Sequence, residues 1–129
     1  MIVESWLVRA ARTRPSVAAV GDLDYATLLS CARACAHEAG LARNRRVGLA
    51  LPPGEGFAIA LHATLLAGAL AVPLDLRLTP AERPPVESVL DAPPSRIAAD
   101  GQDAPPPLVA GGERHDLDAV AIEVRTSGT

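Results

Sequence analysis

Residues 46–74 constrain the fold more than any other stretch of the chain. RVGLAL at 46–51 is a short apolar run closed by Pro52-Pro53-Gly54, residues 55–67 are apolar on nearly every side, Gly68 interrupts them, and residues 69–74 form a second apolar run. Strand, turn, helix, glycine and strand within about thirty residues describe a βαβ unit, which normally crosses over right-handedly and sets its two strands parallel. Both strands are continuously apolar rather than alternating, which fits a sheet covered on both faces. A helix apolar all round is itself covered on most sides. Residues 57–74 are also long and uncharged enough to be weighed as a membrane segment. His62, Thr64, Gly68 and Pro73 divide them, however, and the unbroken part is too short for ~30 Å of hydrocarbon. A buried helix running into a buried strand is the better reading.

The flanking segments carry local signals of their own. Residues 4–12 place Trp6, Leu7, Ala10 and Ala11 on one helical face with Arg9 and Arg12 opposite, and Pro15 marks the exit. Residues 17–20 are a short apolar run, and Gly21-Asp22 before Leu23 suits a tight hairpin. Asp24 then stands as the N-cap of a helix in which Tyr25, Leu28, Leu29, Ala32, Ala36 and Ala39 recur at helical spacing, with Gly40 at its C-terminal end. Thr79-Pro80-Ala81-Glu82 has the hydroxyl cap, first-turn proline and glutamate of a helix start, predicting a helix that reaches Leu90 against the resistance of Pro84-Pro85. Residues 96–99 and 119–124 read as further strands. Residues 93–113, rich in Pro, Gly, Asp and Ala, read as an irregular surface excursion.

With 49% hydrophobic and 21% charged residues, a packed core is within reach and wholesale disorder is excluded. Aromatic residues make up only 2%, so the interior must be built from Ala, Leu and Val, each burying little area. Against 15 acidic residues stand 12 basic ones, with no basic stripe, which sets nucleic acid aside as a primary partner. All 12 basic residues are arginine, so no step that needs a lysine amine can be performed by these residues. Cys31 and Cys35, one helical turn apart and close to His37, offer too few ligands for a metal. They are expected to be buried or half-buried reduced thiols of a cytoplasmic protein. Glu4 and the early arginines leave no apolar run for a secretory signal.

Chemistry-bearing residues are few. No paired carboxylates, Cys/His pair or metal cluster marks a catalytic centre, and no catalytic residue is assigned. Asp75 follows a strand, where α/β proteins place ligand contacts, but a turn or cap is its expected role. The exception is Thr126-Ser127-Gly128-Thr129, directly after the apolar run 119–124. A strand ending in hydroxyls around a glycine can wrap a phosphate, because glycine admits close backbone approach and the N–H and hydroxyl groups donate hydrogen bonds.

A family resemblance runs over essentially the whole chain. It is carried by Trp6-Leu7 with Arg9-Ala10 and Pro15, by Tyr25-Ala26-Thr27-Leu28, by Arg46-Val47 and Leu51-Pro52, by Gly68-Ala69 with Val72-Pro73-Leu74-Asp75, by Leu78 and Glu82, and by the final four residues. In this order and spacing the chain resembles the N-terminal part of the adenylate-forming superfamily, which includes acyl-CoA synthetases, firefly luciferase and the adenylation domains of peptide synthetases. The resemblance implies an α/β fold: the N-terminal portion of a large parallel-sheet AMP-binding domain with helices on both faces, of which residues 1–129 are an incomplete part. It implies an ATP-dependent, AMP-forming acid–thiol ligase, in which a carboxylate attacks the α-phosphate of ATP and a thiol, usually of coenzyme A, then displaces AMP.

By the same resemblance Thr126, Ser127, Gly128 and Thr129 bind the ATP phosphates, with Mg²⁺ neutralising charge. The family's loop continues Thr-Gly-x-Pro-Lys, and neither that lysine nor the family's C-terminal catalytic lysine is present, so the 129 residues alone are expected to be inactive. The partner is a small-molecule carboxylic acid, with no membrane span expected and the oligomeric state left open. Ser5-Trp6-Leu7, Arg9-Ala10 and Pro15, and His62-Ala63 with Gly68-Ala69, are similar to 2-succinylbenzoate–CoA ligases of menaquinone biosynthesis, and fatty-acyl and aryl-CoA ligases share much of this pattern. A reading from another class stays open: a stand-alone, non-catalytic small α/β binding module.

Overall fold

In the computed structural model, residues 2–4, 6–91 and 114–116 are described. The element that organises them is a three-stranded parallel sheet. Its centre is β4 (Arg46–Leu49), flanked by β5 (Leu70–Pro73) and β6 (Ser88–Leu90). The helix α3 (Glu55–Leu66) connects β4 to β5, so the βαβ unit read from residues 46–74 is present with its two strands adjacent and in register from Arg46↔Leu70 to Leu49↔Pro73. Among the described residues no helix is long and apolar enough to cross a membrane.

The N-terminal region forms α1 (Trp6–Thr13), the hairpin of β2 (Ala18–Val20) and β3 (Leu23–Asp24), and α2 (Tyr25–Ala39). The cap signals of α2 are realised as expected. Asp24 Oδ1 accepts from Thr27 N at 2.8 Å, and Gly40, at φ 63°, donates its N–H to the carbonyls of Ala36 and His37. A left-handed residue closing the last turn is a position that favours glycine. The helix expected over residues 4–12 begins later, because Ile2–Glu4 instead form β1, antiparallel to β7 (Arg114–Asp116).

The helix expected from Thr79 to Leu90 is not formed. A single 3₁₀ turn spans Pro80–Glu82, and Thr79 Oγ1 donates to Glu82 Oε1 at 2.8 Å rather than capping a helix. Pro85 holds Pro84 out of the helical region, and neither proline has an N–H to donate. The chain therefore stays extended. Arg46 Nε donates to the Pro85 carbonyl at 3.2 Å, Glu87 N donates to the Arg46 carbonyl at 2.9 Å, and the residues that follow become β6.

Helix α3 is apolar all round because it is packed on opposite sides. Ile59, Ala63 and Leu66 meet Leu28, Cys31 and Ala32 of α2, together with Leu7 of α1. Ala60 faces Val47, Leu49 and Ala71 of the sheet. Its one buried polar side chain, Thr64, donates to the Ala60 carbonyl at 2.8 Å and so leaves no unpaired hydroxyl. The layers run α1 on α2, α2 on α3, and α3 on β4 and β5.

The other face of β4 presents Gly48, where the backbone is approached closely. A Cβ there would lie 2.8 Å from Leu74 Cδ1 and 3.2 Å from Val86 Cγ2. Gly48→Val is therefore expected to destabilise the chain by about 1–3 kcal/mol through overpacking. An unchanged urea midpoint would show that Leu74 and Val86 can withdraw without loss.

Candidate functional site

The carboxyl ends of β4 and β5 open side by side, and in open α/β sheets this edge is where ligands bind. Leu51, Pro53, Phe57, Leu74, Asp75 and Leu76 line a hollow of about 360 Å³ there. The sequence builds it by ending each strand with a turn: Pro52-Pro53-Gly54 folds the chain from β4 into α3, and Asp75 turns it after β5. Its wall is apolar, with Asp75 as the one carboxylate.

Asp75 is committed to its own turn. Oδ1 accepts from the Arg77 backbone N at 2.9 Å and from Arg77 Nε at 3.0 Å, while Oδ2 accepts from Arg77 Nη2 at 2.9 Å. The hydrogen bonds from the Arg77 side chain, then its backbone N–H, then the charges of Arg77 and Arg83, hold the Asp75 carboxyl down to about 2. A carboxylate so engaged is a poor proton acceptor near neutral pH, and the turn role expected from the sequence is the one it plays.

The sign of its contribution follows directly. A depressed carboxyl favours the folded state above the unfolded value of 3.8, and that contribution fades as pH falls toward 2. The Asp75 carboxyl ¹³C resonance should titrate near 2, and Arg77→Ala should move it up toward 3.8, incompletely because the backbone N–H remains. A midpoint unchanged by the substitution would show that the guanidinium is not its partner.

The two cysteines sit where their helical spacing puts them, on the α2 face that packs on α3. Both are buried thiols rather than a disulfide. Burial, and secondarily Glu38 and Cys31, push the Cys35 thiol up to about 11, which makes it an inert packing group. Among the described residues no three His, Cys, Asp or Glu side chains are placed to hold a metal ion. Thr126, Ser127, Gly128 and Thr129 lie outside the described residues, as do the strands expected at 96–99 and 119–124 and the excursion expected at 93–113.

One constellation was not read from the sequence. Trp6 stacks on His62 with ring centroids 5.8 Å apart and an interplanar angle of 24°, and meets Tyr25 edge-on at 5.6 Å and 82°. These rings join α1, α2 and α3, and burial lowers the pKa of His62. Helical periodicity places Trp6 on the apolar face of α1, but it carries no signal of rings contributed by three helices.

No family model and no curated protein matches the chain. Solved structures are. The o-succinylbenzoate coenzyme A synthetase (MenE) from Bacillus subtilis in complex with ATP and magnesium ion is 22% identical with a TM-score of 0.57, over 61% of this chain and 24% of that one. The inhibitor-bound N-terminal domain of FACL13 from Mycobacterium tuberculosis is 29% identical with a TM-score of 0.53, over 59% and 21%. A fatty acyl CoA synthetase from Mycobacterium tuberculosis is 28% identical with a TM-score of 0.52, over 57% and 16%. The chain spans about a fifth of the length of these proteins. Its α/β fold with a parallel sheet is that of the N-terminal part of AMP-binding acyl-CoA synthetases.

Proposed function

We propose that this chain is the N-terminal part of an AMP-forming acid–thiol ligase. The observation that carries the reading is the likeness of the parallel-sheet fold to acyl-CoA synthetases, at 28–29% identity for the two mycobacterial proteins. In this reading a carboxylate oxygen attacks the α-phosphate of ATP and pyrophosphate leaves. A thiol, that of coenzyme A, then attacks the acyl carbon and AMP leaves. Catalysis of such a step rests on positioning and on stabilising phosphate charge rather than on a covalent bond to the protein.

Among the described residues nothing cradles a triphosphate or its metal, since both Asp75 oxygens are taken by Arg77. The proposed phosphate contacts are therefore Thr126, Ser127, Gly128 and Thr129, with Mg²⁺ as the counter-charge when ATP is bound. With no lysine among the 129 residues, any lysine chemistry comes from elsewhere in a longer polypeptide. For the acid we propose 2-succinylbenzoate, supported by Trp6-Leu7, Arg9-Ala10 and His62-Ala63 and by the likeness to MenE at 22% identity.

The test is exchange of labelled pyrophosphate into ATP by the protein at its natural full length, with 2-succinylbenzoate, fatty acids and aryl acids supplied in turn. Exchange that depends on an acid is expected, strongest with 2-succinylbenzoate. A preference for a fatty or aryl acid would correct the substrate and leave the ligase. No exchange with any acid would overturn the ligase and favour the non-catalytic binding module.

A further inference from the structure

Between α1 and the start of α2 lies a concavity of about 380 Å³ lined by Trp6, Arg9, Ala10, Thr13, Arg14 and Tyr25. Trp6, Arg9, Ala10 and Thr13 follow one another three and four residues apart, so Arg9 stands beside Trp6 at this concavity and not on the opposite face as expected from the sequence. Arg14 is held beside them because its backbone N–H donates to the Ala10 carbonyl at 2.7 Å. The loop that follows is tied to α2, with Tyr25 N donating to the Val17 carbonyl and Ala26 N to the Pro15 carbonyl, each at 3.1 Å. These backbone bonds fix the wall.

Trp6 is 59% exposed, yet it is not free to swing. His62 stacks on its ring and Tyr25 abuts its edge, so the indole is held in place while most of its surface meets solvent. An indole left in water forgoes hydrophobic burial that a ligand ring would restore. Among the described residues, neither the Arg9 nor the Arg14 guanidinium is paired with a carboxylate. The nearby Asp24 carboxylate is occupied in capping α2 through Thr27. A fixed aromatic platform flanked by two planar cations that no described carboxylate pairs is complementary to a flat ring bearing a negative group: the ring lies against the indole, and the anion takes forked hydrogen bonds from guanidinium.

We propose that this concavity binds a small planar aromatic anion, its ring on Trp6 and its carboxylate or phosphate held by Arg9 and Arg14. The proposal does not depend on the ligase reading, because none of its residues is among 126–129.

Trp6 is the chain's single tryptophan, so its fluorescence reports the site alone. Benzoate and phenyl phosphate are titrated into the 129-residue chain, with benzyl alcohol as the ring without charge and acetate as the charge without a ring. Saturable quenching is expected with benzoate or phenyl phosphate, and the tighter of the two identifies the anionic group. Both controls should bind at least about tenfold more weakly, the scale of one charge-assisted contact. R9Q/R14Q should weaken the anion by about tenfold or more and leave benzyl alcohol unchanged. R14Q alone, outside the helix, gives the same test should the double variant lose its helical circular dichroism. Quenching that rises linearly without saturation, a neutral ring that binds as tightly as the anion, or affinity indifferent to the arginines would each overturn the proposal.

Discussion

Leu49→Ala is expected to lower the free energy of unfolding by about 4–5 kcal/mol, at the upper end of large-to-small core substitutions. Leu49 is fully buried at the end of the central strand β4, in register with Pro73 on one side and Leu90 on the other. The usual relief for such a truncation is collapse of neighbours into the space. Here half of the buried cluster is Ala60, Ala69 and Ala71, whose side chains have no length with which to follow, and relief is left to longer neighbours such as Leu51, Phe57 and Leu65. Much of the cavity should therefore persist, and its cost adds to the lost transfer energy. Against a typical total of about 5–15 kcal/mol, that loss is a large share of the stability of a small domain. Urea unfolding followed by circular dichroism measures it. A change of about 1 kcal/mol or less would mean that the layer between α3 and the sheet is loosely packed.

In the full-length protein, Ser127→Ala combined with Thr129→Ala is expected to reduce acid-dependent pyrophosphate exchange by about 10²–10³-fold. The proposed role of these hydroxyls is to donate to phosphate oxygens whose charge must be held while the α-phosphate is attacked. Donors fixed in advance at such a place pay no reorganisation cost during reaction, which is why single donors can matter so much. Gly128→Val should fall as far for a different reason, since a side chain there bars the backbone from the phosphate. The kinetic form of the loss discriminates. A fall in kcat at unchanged KM for ATP marks contacts that strengthen in the transition state, whereas a raised KM alone marks ground-state binding. Full exchange in the doubly substituted protein would remove these residues from the phosphate site.

Much of the described fold is legible because its determinants act over a few residues. Asp24 and Gly40 delimit α2, Gly21-Asp22 turns the hairpin, and the apolar runs around Gly68 dictate the βαβ unit through capping, turn chemistry and periodicity alone. The Asp75 turn belongs with them, since its partner Arg77 is two residues away. Where sequence reasoning failed, the deciding partner was distant or two local signals conflicted. At Thr79-Pro80-Ala81-Glu82 a sound helix start met Pro84-Pro85, and the open edge of β4 took the extended chain as β6. Ile2–Glu4 became a strand through pairing with Arg114–Asp116, more than a hundred residues later, which no short window could contain.

The candidate sites divide in the same way. The sequence by itself determined the parallel βαβ unit, and with it an edge of carboxyl ends where Asp75 sits, because helix and strand periods are local properties of the chain. Only the tertiary structure decided that Trp6 stays largely in solvent, stacked on His62 of α3 and edged by Tyr25 of α2, with Arg9 and Arg14 beside it. Periodicity tells which face of a helix is apolar. Which side chains from three helices meet, and which ring stays open to water, is set by how those faces pack together.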